Sequence, residues 1–258
     1  MKMKISNLGV NYGKKSVIKD ISAVFKGGEM VSVIGPNGAG KTTMVKAIAR
    51  LTSHKGSVHV TKKDGSKISH ENFTYVPQMS VSKINLTVFE MVLLGRIKDL
   101  TWKVEQVHLN AVTKILDELL LTHLSYTPFS SLSGGQKQMV VMAQALVSQP
   151  KVLILDEPTS ALDLNHQLQV MDIAMKYTKK SGAITIIVLH DIGLASRYSD
   201  QIVLLSDGYF VKQGNPEQVL DSKLLEKIYN VEVDVSTNQN GYVTVTPIRP
   251  SSMVKGVL

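Results

Sequence analysis

The feature that most limits this chain is a glycine-rich turn, Gly35-Pro36-Asn37-Gly38-Ala39-Gly40-Lys41-Thr42, between an apolar run and a stretch of helix formers. Glycines at that spacing let backbone N–H groups turn inward with no Cβ in the way. Those donors, backed by a helix N-terminus, make a cradle for an anion. Glycine, four residues, glycine, lysine, then threonine is the phosphate-binding loop pattern. It assigns Lys41 to the β- and γ-phosphates of a nucleotide and the Thr42 hydroxyl to Mg²⁺. It also requires a strand before it and a helix after it, so Met30–Ile34 is expected to be a strand and Lys41–Ala49 a helix. A flexible glycine turn is the plain alternative.

Two further stretches fit the same chemistry. Val152-Leu153-Ile154-Leu155-Asp156-Glu157-Pro158 is an apolar run ending in two acids. A buried strand that delivers carboxylates at its end suits a magnesium site, with Asp156 holding the ion directly or through water. Glu157 would face the γ-phosphate and act as general base on the attacking water. Taken alone, an acidic strand end would be as good a reading. Leu132-Ser133-Gly134-Gly135-Gln136 opens a helix and offers a second set of anion donors. Alone, Ser133 would be an ordinary N-cap. One nucleotide has no need of two cradles in one chain, whereas two chains arranged head-to-tail can complete each other's sites.

With these motifs in place, and in this order, the chain resembles the ATP-binding subunit of an ABC transporter over about residues 1–220. Gly35, Pro36, Asn37, Gly38, Ala39, Gly40, Lys41, Thr42 and Thr43 are similar to the family's Walker A loop. Gln78 in Tyr75-Val76-Pro77-Gln78 is similar to its Q-loop glutamine. Ser133, Gly134, Gly135 and Gln136 are similar to its signature motif. Asp156 and Glu157 match Walker B and the catalytic glutamate, Asp163 in Ser160-Ala161-Leu162-Asp163 the D-loop, and His190 the switch histidine. Tyr12 sits where the family stacks an aromatic ring on adenine, although an exposed loop tyrosine would look the same. The resemblance implies ATP and Mg²⁺ as ligands, with Thr42, Gln78 and Asp156 at the metal. Glu157, His190, Lys41 and Gln78 would then carry hydrolysis. It also implies a second copy of the chain, an integral membrane permease and, indirectly, a solute-binding protein. The expected location is the cytoplasmic face of the membrane.

The implied fold is α/β: a P-loop NTPase core with a mixed sheet, an antiparallel β subdomain at the N-terminus and an inserted α-helical subdomain. The whole of 1–258 is then one ABC ATPase domain. Its nucleotide-binding core is 1–79 and 148–220, its helical subdomain 80–147, and its C-terminal helix and strand tail 221–258. Pro216–Tyr229 is expected to form the last helix. Thr87–Arg96 and Thr159–Gln167 resemble importers of iron–siderophore, haem and cobalamin complexes. The resemblance implies import of an iron–siderophore or related iron chelate; another solute (metal ion, haem, cobalamin or amino acid), an exporter role, or a non-transport ABC ATPase are the alternatives. Lys137 and Gln144 stand where arginines are frequent in the family, and Arg50–Gly56 lacks a usual proline.

Composition agrees and excludes. The 258 residues contain no cysteine, which removes disulfide scaffolds, thiolate metal sites and cysteine catalysis. The start has no apolar core of signal-peptide length, and no run approaches the roughly 20 apolar residues of a spanning helix. Any membrane role must therefore come through a partner. The net charge of +8 points to an anionic partner. No nucleic-acid-binding motif accompanies it, so nucleic acid is not expected. Six lysines against one acid in the first 26 residues carry much of the excess.

Overall fold

The computed structural model describes residues 1–78, 85–99 and 104–251. In chain order the strands and helices begin with β1 (Lys2–Tyr12), β2 (Lys15–Lys26), β3 (Met30–Ile34), α1 (Lys41–Ile48), β4 (Lys55–Thr61) and β5 (Phe73–Val76). A helical block follows: α2 (Val88–Leu93), α3 (Gln106–Glu118) and α4 (Gly134–Leu146). Next come β6 (Val152–Asp156), α5 (Leu164–Ser181), β7 (Ile184–Val188), α6 (Ile192–Tyr198), β8 (Gln201–Ser206) and β9 (Tyr209–Gly214). The chain ends with α7 (Pro216–Val219), α8 (Ser222–Tyr229), β10 (Val231–Thr237) and β11 (Val243–Pro250).

The strands form a six-stranded sheet in the order β5-β6-β7-β3-β8-β9, a three-stranded sheet β2-β1-β4 and a two-stranded sheet β10-β11. In the large sheet every pairing is parallel except β8 with β9. β3, β6 and β7 are buried at every residue. That matches their unbroken apolar sequences, since central parallel strands are covered on both faces.

The period of two along a strand divides each strand between two cores. Val152 and Ile154 pack with Met44, Val45 and Ile48 of α1 and with Met3, Ile5 and Phe25 of the antiparallel sheet. Leu153 and Leu155 face the other way, onto Val170, Met171 and Ala174 of α5 and the helical block at Val92, Leu116 and Met142. The large sheet is thus the middle layer, and α1 is held between it and the small sheet.

One expected element differs. The helix expected over 216–229 is broken into α7 and α8. Asp221 leaves the helical conformation and its carboxylate accepts the Leu224 N–H at 3.0 Å, which starts a new helix. The expected boundary at 79/80 and the end of the tail, 252–258, lie outside the described residues. Among the described residues, no helix is long and apolar enough to cross a membrane.

Phe25 is fully buried where the small sheet meets the large one. Phe25→Ala is expected to lower unfolding free energy by about 3–5 kcal/mol, measured by urea denaturation. A loss under about 1 kcal/mol would show that the small sheet is not locked onto the core.

Candidate nucleotide-binding and hydrolysis site

β3 ends at Ile34 and the chain turns through Gly35–Gly40 into α1. Gly38 and Gly40 hold φ of 79° and 101°, a region that side chains resist. A Cβ on Gly40 would also press on the Ile18 side chain at 2.8 Å and the Val17 carbonyl at 3.2 Å. Gly40 caps α1 without a side chain, and the first turn holds no acidic residue. The N–H groups and positive end of the helix are therefore left for an anion from outside the helix. Lys41 is buried, and its Nζ donates to the Gly35 carbonyl at 2.8 Å and the Pro36 carbonyl at 3.0 Å. Burial pushes its pKa below the usual lysine range, while Glu157 and Asp156 oppose that shift. Asn37 and Gly38 are exposed at the mouth of the turn, and Thr42 and Thr43 are partly buried in the first turn of α1.

Asp156, the last residue of β6, joins three elements. Its Oδ1 accepts the Thr42 hydroxyl at 3.0 Å and its Oδ2 accepts the Tyr75 hydroxyl at 2.8 Å. Tyr75 lies on β5, opposite Ile154 in the parallel pairing. Burial, followed by the bond to Asp156, pushes the Tyr75 pKa above its ordinary range. Sequence reading gave Tyr75 no role. It stands beside Gln78, but its partner is distant in sequence and only strand register brings the two together.

Glu157 follows immediately, with φ of 53°. A left-handed backbone costs a non-glycine residue roughly 1–2 kcal/mol, and strain of this kind gathers at functional sites. The turn re-aims the carboxylate away from the strand line. His190 Nε2 lies 2.6 Å from Oε1, and Gln78 Nε2 donates to Oε2 at 3.0 Å. The Ser160 hydroxyl donates to the Glu157 carbonyl at 2.9 Å, steadying the turn. Gln78 and His190 each stand two residues beyond a parallel strand, β5 and β7. The Glu157 side chain is 16% exposed and that of His190 46%.

The remaining expected residues do not join this cluster. Ser133 caps α4 in a reciprocal pair with Gln136: the Gln136 N–H reaches Ser133 Oγ at 3.2 Å and the Ser133 N–H reaches Gln136 Oε1 at 3.0 Å. Gly134 and Gly135 form the first turn of that helix. Asp163 caps α5. Among the described residues no hydrogen bond links Ser133–Gln136 or Asp163 to the Gly35–Thr43 turn. Tyr12 ends β1 with half its surface exposed and makes no hydrogen bond or ring contact to that turn among the described residues.

The donors fit the expected ligands. Thr42 Oγ1 and Asp156 Oδ1 are two hard oxygens side by side. Magnesium takes few protein oxygens and leaves its other positions to phosphate and water. Gln78 contributes an amide whose nitrogen is occupied by Glu157 and whose carbonyl oxygen is the end suited to a metal.

Tyr75→Phe removes one hydrogen bond to a carboxylate, worth about 1.5 kcal/mol. Magnesium-dependent ATP turnover is expected to fall about tenfold, with nucleotide affinity unchanged when magnesium is withheld. Unchanged turnover would show that Tyr75 does not support Asp156.

Comparison with known proteins agrees with this geometry. The sequence model of the ABC transporter family matches residues 18–160. An uncharacterised ABC transporter ATP-binding protein of Methanocaldococcus jannaschii is 35% identical over 96% of this chain and 98% of its own length. The iron(3+)-hydroxamate import ATP-binding protein of Bacillus subtilis is 30% identical over 92% of this chain and 90% of its own. The hemin import ATP-binding protein of Thermobifida fusca is 33% identical over 94% and 87%. A solved chain of a metal-chelate-type ABC transporter in an inward-facing conformation superposes with a TM-score of 0.84 at 26% identity, covering 95% of this chain and 96% of that one. The chain thus belongs to the ABC transporter family and is one of its ATP-hydrolysing subunits.

Proposed function

We propose that this chain powers import of an iron–siderophore, or a related iron chelate, through a separate membrane permease. In this reading it works as a head-to-tail pair at the cytoplasmic face of the membrane. The observation that carries the hydrolytic half is the meeting of Gln78, Glu157 and His190 next to the Asp156–Thr42 pair. The cradle would take the phosphates of ATP, with Lys41 exchanging its loop carbonyls for phosphate oxygens. Thr42 and Asp156, with Gln78, would hold magnesium, which when bound supplies charge neutralisation for the phosphates. Glu157 accepts the proton of the attacking water. Its two hydrogen bonds fix the carboxylate in one orientation, and positioning is most of what in-line phosphoryl transfer asks of a protein. His190 holds one of its ring nitrogens toward Glu157 and is exposed enough to meet the γ-phosphate.

The pairing follows from what one chain leaves apart. Among the described residues, Ser133–Gln136 and Asp163 make no hydrogen bond to their own cradle, whereas a second copy turned head-to-tail would present them to it. Gln78 would carry the state of the nucleotide toward residues 80–100, which we read as the start of the helical subdomain 80–147. Leu94 and Ile97 are exposed there and offer an apolar surface to a permease. The substrate class is supported by relatives that import iron(3+)-hydroxamate, hemin and petrobactin, with a cobalamin importer among them.

Glu157→Gln is expected to bind ATP, dimerise and lose at least about a hundredfold in turnover, read by phosphate release. Turnover like that of the parent would remove Glu157 from the role of base. With the chain reconstituted on its candidate permease, a siderophore-loaded binding protein is expected to stimulate hydrolysis. Stimulation by haem- or cobalamin-loaded protein alone would move the substrate within the same group.

A further inference from the structure

His166, one turn into α5, has no part in the function described so far. Its backbone N–H donates to Asp163 Oδ1 at 2.9 Å, the ordinary helix cap. Its ring does something additional. Nδ1 lies 2.9 Å from Asp163 Oδ1 and 2.8 Å from Oδ2, so it carries the proton toward the carboxylate. The opposite edge of the ring lies against the signature turn. A methyl group on Gly135 would collide with His166 Cγ, Cδ2 and Nε2 together. Swinging the ring away would relieve that collision only by breaking its bonds to Asp163.

Gly135 itself points to the same contact. It sits in the first turn of α4 without a positive φ, so its backbone conformation is open to any residue. Glycine is unfavourable in a helix, and alanine would ordinarily serve better. The adjacent Gly134 has open space around its Cβ position. The His166 ring therefore fills the space that a Cβ at 135 would need. The ring side chain is 28% exposed while Asp163 is 66% exposed, so the clamp is partly covered and the carboxylate faces outward. The hydrogen bonds from His166, the backbone one first, hold the Asp163 pKa below the usual carboxylate range.

We propose that His166 is a positioning residue: it fixes the spacing between the signature turn Ser133–Gln136 and Asp163, and so shapes the surface that a second copy of this chain meets. The inference rests on the head-to-tail pairing proposed above. Signature turn and D-loop carboxylate then move as one rigid edge rather than as two independent helix ends, and only an edge of fixed spacing can engage a partner's cradle at both points.

The test uses the full chain carrying Glu157→Gln, with dimer formation followed by light scattering as ATP is raised. His166→Ala is expected to raise the ATP concentration at half-dimerisation about tenfold, the loss set by one charge-assisted hydrogen bond. ADP affinity of the single chain is expected to stay unchanged, because the cradle is untouched. His166→Asn keeps an N–H where Nδ1 sits and is expected to recover most of the loss. His166→Phe keeps the ring without the donor and is expected not to. An unchanged midpoint for His166→Ala, or failure of Asn to do better than Phe, overturns the inference while leaving the pairing intact. If the Glu157→Gln parent shows no ATP-dependent dimer, the pairing falls and this inference falls with it.

Discussion

Parallel pairing of β5, β6, β7 and β3 is the constraint on which the rest of the molecule depends. Parallel strands all end on the same edge of a sheet, and ligand sites of open α/β sheets lie outside that edge. Here the edge receives Gln78 after β5, Asp156 and Glu157 at β6, His190 after β7 and the glycine turn after β3. Each group comes from a different part of the chain, and none could meet the others without this register. Burial on both faces keeps the strands from slipping, because moving one by a single residue would exchange its two cores.

The Asp156 carboxylate is where this edge is tied to the layers around it. One oxygen reaches α1 through Thr42 and the other reaches β5 through Tyr75. A buried acceptor with both oxygens engaged is rigid, and rigidity at this carboxylate limits how far nearby groups can drift. Glu157, one residue later, is held by the opposite means. Its backbone is strained and its side chain is restrained by two neighbours, which aims the carboxylate off the line of the strand.

What could be read from the sequence was whatever chemistry is local. The cradle needs consecutive residues, so Gly35–Thr42 disclosed it. Asp156 and Glu157 were visible because an apolar run ended in acids. Tyr75 was not legible, since its importance lies in the pairing of β5 with β6 and not in its neighbours. His166 lies within Thr159–Gln167 but has no visible role there, because its partner Gly135 lies on another helix. The division of 216–229 into two helices was missed for a related reason. Leu220, Leu224 and Leu225 keep helical spacing across the break, which comes from Asp221 turning its carboxylate onto the backbone.

The cap of α4 has a consequence for anion recognition. A serine hydroxyl has one proton and two lone pairs. In the reciprocal pair with Gln136, Ser133 Oγ uses a lone pair, receiving the Gln136 N–H, and spends no proton. Gln136 supplies the acceptor for the Ser133 backbone N–H, so both bonds of the pair form without drawing on the hydroxyl hydrogen. Capping therefore uses one face of this oxygen atom and leaves its proton free for another acceptor. In the proposed head-to-tail pair, Ser133 would give its proton to a phosphate of the neighbouring chain while its bonds with Gln136 stay in place.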